Sequence, residues 1–210
     1  MYLPKHFEVT NKQMLVALIR DYGFATLVTS SSDAGLFASH VPILYWPERG
    51  THGVLAGHVA RANPQSRYFN TDKEALVIFQ GPHAYVSPSW YQVKPAVPTW
   101  NYATVHAYGK PRILEDELKL AELLRATVEQ YESGMPVPWQ ADLSADYQAA
   151  QMKAIVGFEI EVTRIEGKFK LSQNRKPEDV AGVIQALTQS ESQTERELAS
   201  LMRSYYQQRH

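Results

Sequence analysis

The chain has 210 residues, of which 44% are hydrophobic and 20% charged, a balance that supports one buried core and excludes a disordered chain. Lys and Arg number 21 against 22 Asp and Glu, so the formal charge of -1 provides no global positive field toward nucleic acid or an anionic membrane. Cysteine is absent, which excludes disulfides, thiolate zinc sites and cysteine nucleophiles.

The opening Met1-Tyr2-Leu3-Pro4-Lys5-His6 lacks a basic segment followed by an apolar one. No later run approaches the roughly 18–20 apolar residues that a membrane helix needs. A cytoplasmic protein without a membrane segment is expected. Thr10-Asn11-Lys12-Gln13 has the form of a capping box, and Leu15, Leu18, Ile19 and Tyr22 follow at helical spacing before Gly23. From Phe24 the period becomes two: Phe24–Thr29 and Leu36–Trp46 read as strands joined through turn-forming Ser30–Gly35, and Gly53–Val59 as a third strand.

Asn63-Pro64 predicts a capped short helix through Phe69. Ala75–Phe79 reads as a buried strand that resumes at Tyr85–Ser87 beyond Gly81-Pro82. Thr99–Tyr108 is a further strand with an aromatic face. Glu115–Tyr131 predicts the longest helix, stopped by Gly134, and a short helix starts at Ser144. Val156, Phe158, Ile160 and Val162 alternate with polar residues in a half-buried strand. Pro177–Leu187 and Glu195–Tyr206 predict two last helices, linked by the polar Ser190–Thr194. The link makes residues 189–210 a helical arm, mobile or in contact with a partner, beyond a main domain over 1–188. Strands that do not alternate regularly with helices indicate an α+β fold.

Arg61 and Arg67 flank the capped turn at Asn63, where free backbone N–H groups favour an anion such as phosphate; the alternative is a pair of solvated charges around an ordinary cap. Val97–Tyr102 interleaves Trp100 and Tyr102 with Thr99 and Asn101. That is a surface for a planar heterocycle with hydrogen-bonding edges, or simply aromatic core. His40, His58 and His106 lie on different predicted strands without a paired-histidine motif or matching carboxylates, so no metal is assigned. No nucleophile elbow, P-loop or dinucleotide fingerprint is present, and no helix-turn-helix or basic stripe is recognisable.

Several motifs occur together: Tyr2-Leu3-Pro4, Phe24–Val28, Leu36–Pro42, Gly57–Gln65, Ala84–Tyr91, Val97–Tyr102 with Val105-His106, Gly157–Ile160 and Lys168–Asn174. In this order they resemble the PaiB family of FMN-binding negative transcriptional regulators, over nearly the whole chain up to the C-terminal arm. The resemblance implies an antiparallel split β-barrel of the flavin-reductase and pyridoxamine-phosphate-oxidase type with peripheral helices. It also implies a homodimer with FMN in the cleft between subunits. By the same analogy the FMN phosphate is expected near Arg61, Asn63 and Arg67, and the ring near Ser39, His40, His58, Thr99, Trp100, Asn101 and Tyr102. Lys94 and Lys170 rank lower as sources of charge. A regulator acting on DNA directly or through a partner protein is the first functional expectation. A flavin-dependent oxidoreductase, or a haem-binding or haem-degrading barrel using one of the three histidines, is the alternative.

Overall fold

The computed structural model describes residues 1–31, 35–140 and 143–207. Ser32, Asp33 and Ala34 of the expected turn, and the last three residues of the expected arm, lie outside them. Among the described residues, seven strands and five α-helices follow in chain order: β1 (Glu8–Val9), α1 (Lys12–Asp21), β2 (Phe24–Ser31), β3 (Gly35–Trp46), β4 (Val54–Ala60), β5 (Ala75–Val86), β6 (Thr99–Ile113), α2 (Glu117–Glu132), α3 (Ala145–Lys153), β7 (Ile155–Lys170), α4 (Pro177–Thr188) and α5 (Gln193–Gln207). The strands are hydrogen-bonded in the order β1-β7-β4-β3-β2-β5-β6, with β7 also paired to β6, the pattern of an α+β split barrel. Two compact units divide the chain: Met1–Leu18, Gln80–Val105 and Glu166–His210 form the first, Ile19–Phe79 and His106–Ile165 the second.

In the second unit the period of two read from the sequence sets the register. Leu27 faces Ser39 across the β2–β3 hairpin and Val77 of β5 on the other side, while Thr26 and Val28 pair with His40 and Ala38 on the opposite face. One face is therefore buried, with Ala25, Leu27, Ile43, Leu55, Val77 and Phe158 at its centre. Each large apolar side chain fully removed from water stabilises the fold by about 1.5–3 kcal/mol. The β3–β4 ladder packs under α2 through Leu44, Ala56, Leu120 and Leu123, with β7 beside β4. Gly157 allows that approach, since a Cβ there would lie 2.6 Å from Leu120 Cδ1.

In the first unit α4 and α5 lie together, burying Val180, Val183 and Leu187 with Leu198, Ala199 and Met202. The expected C-terminal arm thus buries one face of its helix within the described chain. Three local readings shift. The N-cap of α1 is Asn11 rather than Thr10, because Asn11 Oδ1 accepts from Met14 N at 3.2 Å. The segment after Asn63 is a five-residue 3-10 turn, Pro64–Tyr68, not an α-helix. The strand expected to break at Gly81-Pro82 runs unbroken through both residues.

Candidate cofactor site

The expected site residues divide between the units. In the second, Asn63 caps the 3-10 turn by accepting from Gln65 N at 2.9 Å, and its amide donates to Ser39 Oγ at 2.9 Å. Gln65 is fully buried, and its amide donates to Leu27 O at 3.0 Å, Thr29 Oγ1 at 3.2 Å and Phe37 O at 3.3 Å. This glutamine, absent from the expected set, pins the turn to the β2–β3 hairpin. Arg61 folds back along the chain: its guanidinium donates to Lys153 O and to Ile155 O, and its backbone N–H to Ala154 O. Arg67 is exposed and has no side-chain partner among the described residues. His40 stands on the opposite, exposed face of the hairpin, its ring 6.3 Å from that of Phe24. His58 is half-buried on β4, and loss of solvent lowers its pKa below the ordinary imidazole value, so it is neutral at pH 7. Ser39 and Asn63 are thus brought together, whereas Arg61 is directed to the α3–β7 corner.

In the first unit β6 alternates its residues. Asn101 points inward and is fully buried, donating to Ser172 Oγ at 2.8 Å and to Met202 Sδ at 3.8 Å. Trp100 points outward, 54% exposed, with His83 and Tyr85 at ring separations of 6.3 and 6.1 Å. Trp100 and Tyr102 line an open pocket of about 340 Å³ completed by Gln80, His83, Ala103 and Thr104. Thr99 Oγ1 and the Trp100 carbonyl, the latter at 2.7 Å, both accept from Lys170 Nζ.

Lys170, ranked low from sequence, is joined by two cations that sequence reasoning missed. Lys168 lies two residues earlier on β7, on the same face, and Arg175 follows the turn after Leu171. The Lys170 pKa is lowered, first by burial and then by the charges of Lys168 and Arg175. Lys94 instead donates to the Pro88 carbonyl.

Residues 1–164 match the sequence profile of the family described as "Putative FMN-binding domain". Over 204 residues the chain is 42% identical to "Protease synthase and sporulation protein PAI 2" of Bacillus subtilis, covering 96% of each. It is 35% identical over 227 residues to an uncharacterized protein of Emericella nidulans, covering 88% of this chain and 89% of that one. The solved FAD and heme binding protein of Mycobacterium smegmatis aligns with a TM-score of 0.60 at 15% identity, over 83% of this chain and 78% of that one, a likeness of fold. The chain belongs to the PaiB-type FMN-binding family, and FMN is its cofactor.

The donor set of the first unit fits that cofactor. FMN joins a flat ring with polar edges to a phosphate; Trp100 and Tyr102 offer flat surface with Gln80 and His83 at the pocket wall. Lys168, Lys170 and Arg175 form no ion pair with a carboxylate among the described residues. When bound, the flavin supplies one- or two-electron redox chemistry, and the protein supplies orientation and charge.

Proposed function

We propose that this chain acts in the cytoplasm as a homodimeric, FMN-dependent negative regulator of transcription, reaching DNA directly or through a partner protein. The observation that carries the reading is the likeness, over 96% of both chains, to a protein whose name ties it to protease synthesis and sporulation. No helix among the described residues is long and apolar enough to cross a membrane.

The dimeric part is supported by the β2–β3–β5 face of the second unit. Phe24 and Leu36 are 67% and 78% exposed there, and Val28 pairs with both Ala38 and Leu76 on the same face. A partly exposed sheet face that carries these apolar side chains beside Thr26 and His40 is what a second copy of the chain would cover. Light scattering on the FMN-loaded protein is expected to give twice the mass of one chain, and Leu36→Glu to give a single chain. Salt-dependent retention on DNA from the protein's own promoter region, changed by removing FMN, is the expected regulatory signature. A monomer showing no retention with or without FMN, even when cell extract supplies partner proteins, overturns the reading.

A further inference from the structure

Three cations stand together in the first unit, none of them in an ion pair among the described residues. Lys168 is only 9% exposed; its Nζ donates to Tyr2 O at 2.9 Å and lies 5.4 and 5.5 Å from the Tyr2 and Tyr102 ring centroids. Lys170 donates to Thr99 and Trp100, and the Arg175 guanidinium carbon lies 4.3 Å over the Tyr91 ring. An ammonium carries three N–H groups and a guanidinium five, so each lysine keeps a donor to spare. The Arg175 guanidinium gives no hydrogen bond among the described residues.

Gathering like charges in a partly desolvated place opposes folding unless something answers it. None of the three pairs with a carboxylate among the described residues, and Glu166, two residues before Lys168 on β7, is taken by the Met1 ammonium. A neutral donor would satisfy the Tyr2 or Trp100 carbonyl equally well, so the hydrogen bonds do not account for the charges. The cluster also adjoins a place for a flat molecule, because Lys168 Nζ lies 5.5 Å from the Tyr102 ring centroid and the Trp100 carbonyl holds Lys170, while both aromatic side chains line the 340 Å³ pocket.

We propose that Lys168, Lys170 and Arg175 form a phosphomonoester-binding site, and that its occupant is the phosphate of FMN with the ring in the Trp100–Tyr102 pocket. This rests on the FMN reading and places the phosphate away from Arg61 and Asn63, whose side chains already donate to Lys153, Ile155 and Ser39. Paired charge-assisted hydrogen bonds from guanidinium and ammonium suit a dianion.

The test is calorimetry on the full chain with FMN, riboflavin and inorganic phosphate, comparing wild type with Lys170→Met and Arg175→Gln, each checked by thermal melting. Arg175→Gln changes a side chain with no described hydrogen bond, so it keeps the test open if Lys170→Met folds poorly. Wild type is expected to prefer FMN to riboflavin by about tenfold or more, the equivalent of a charge-assisted hydrogen bond. Each variant is expected to lose most of that preference while holding riboflavin within about twofold of wild type. If wild type binds neither flavin but binds inorganic phosphate, and both variants lose it, the FMN reading fails and the phosphomonoester site stands. Unchanged FMN preference, together with unchanged phosphate binding in both variants, overturns the site itself.

Discussion

The Arg61 guanidinium donates to the Ile155 carbonyl at 2.7 Å, tying the residue after β4 to the first residue of β7. A second bond to the Lys153 carbonyl closes the end of α3, where an unpaired helix carbonyl would otherwise face solvent. Arg61 is therefore expected to act on stability. Arg61→Ala should lower the unfolding free energy by about 1–2 kcal/mol, below the full value of two charge-assisted bonds because the side chain is exposed. FMN affinity should stay within about threefold, a small energy on the scale of tenfold per 1.4 kcal/mol. Urea unfolding and flavin titration of the same variant check both; weakened FMN binding at unchanged stability would return the phosphate to Arg61.

Asp179 ties α4 to the segment between β5 and β6. Its carboxylate is buried in the first turn of α4 and accepts from the backbone N–H of Gln92 at 2.7 Å and of Val93 at 3.2 Å. Asp179→Ala strands two donors and is expected to cost about 2–3 kcal/mol. Asp179→Asn keeps one acceptor and should cost less. Equal stability of all three proteins in chemical denaturation would remove the carboxylate from the account.

Much of this architecture was legible because half-buried strands and capped helices write their period into the sequence. β2, β3 and the alternating part of β7 appear where Leu27, Val41 and Ile160 predict them, since each buries one face. The break expected at Gly81-Pro82 failed for a physical reason. A Cβ at residue 81 would lie 3.1 Å from Ala103 O, so the glycine lets the neighbouring strand approach, and the proline is buried within the strand without breaking it. Lys168-Phe169-Lys170 did carry a signal, two cations on one strand face, that a lysine-by-lysine reading discards. Arg175 carried none: it reaches Tyr91 only after the turn at Ser172, which has a φ of 68° and receives the Asn101 amide. The use of Arg61 was equally hidden, because its acceptors lie far along the chain and no local spacing reports them.

Gly182 sits inside α4, where alanine would ordinarily raise helix stability by about 1 kcal/mol. Here a Cβ would lie 2.4 Å from the Trp90 carbonyl oxygen, a backbone atom that cannot rotate aside. Relieving such overpacking costs about 1–3 kcal/mol, so packing outweighs propensity and Gly182→Ala is expected to destabilise. A higher melting temperature for the variant would show that α4 slides off the Trp90 turn at little cost.

His58 sets an acid limit on stability. Burial lowers its pKa from the ordinary 6.5, so the folded chain disfavours the imidazolium while the unfolded chain does not. The sign follows from proton counting: above about pH 6.5 both states leave the ring neutral and the stabilisation is fully present, whereas below it the unfolded state binds the extra proton. Stability should therefore fall as pH drops from 6.5 toward the lowered folded-state value. Six other histidines also titrate, so the informative quantity is the difference between wild type and His58→Gln in urea unfolding at several pH values from 5 to 8. The variant is expected to lose less stability on acidification, with the two curves parallel above about pH 7. Parallel curves over the whole range would show that the ring is as free to take a proton in the folded chain as in the unfolded one.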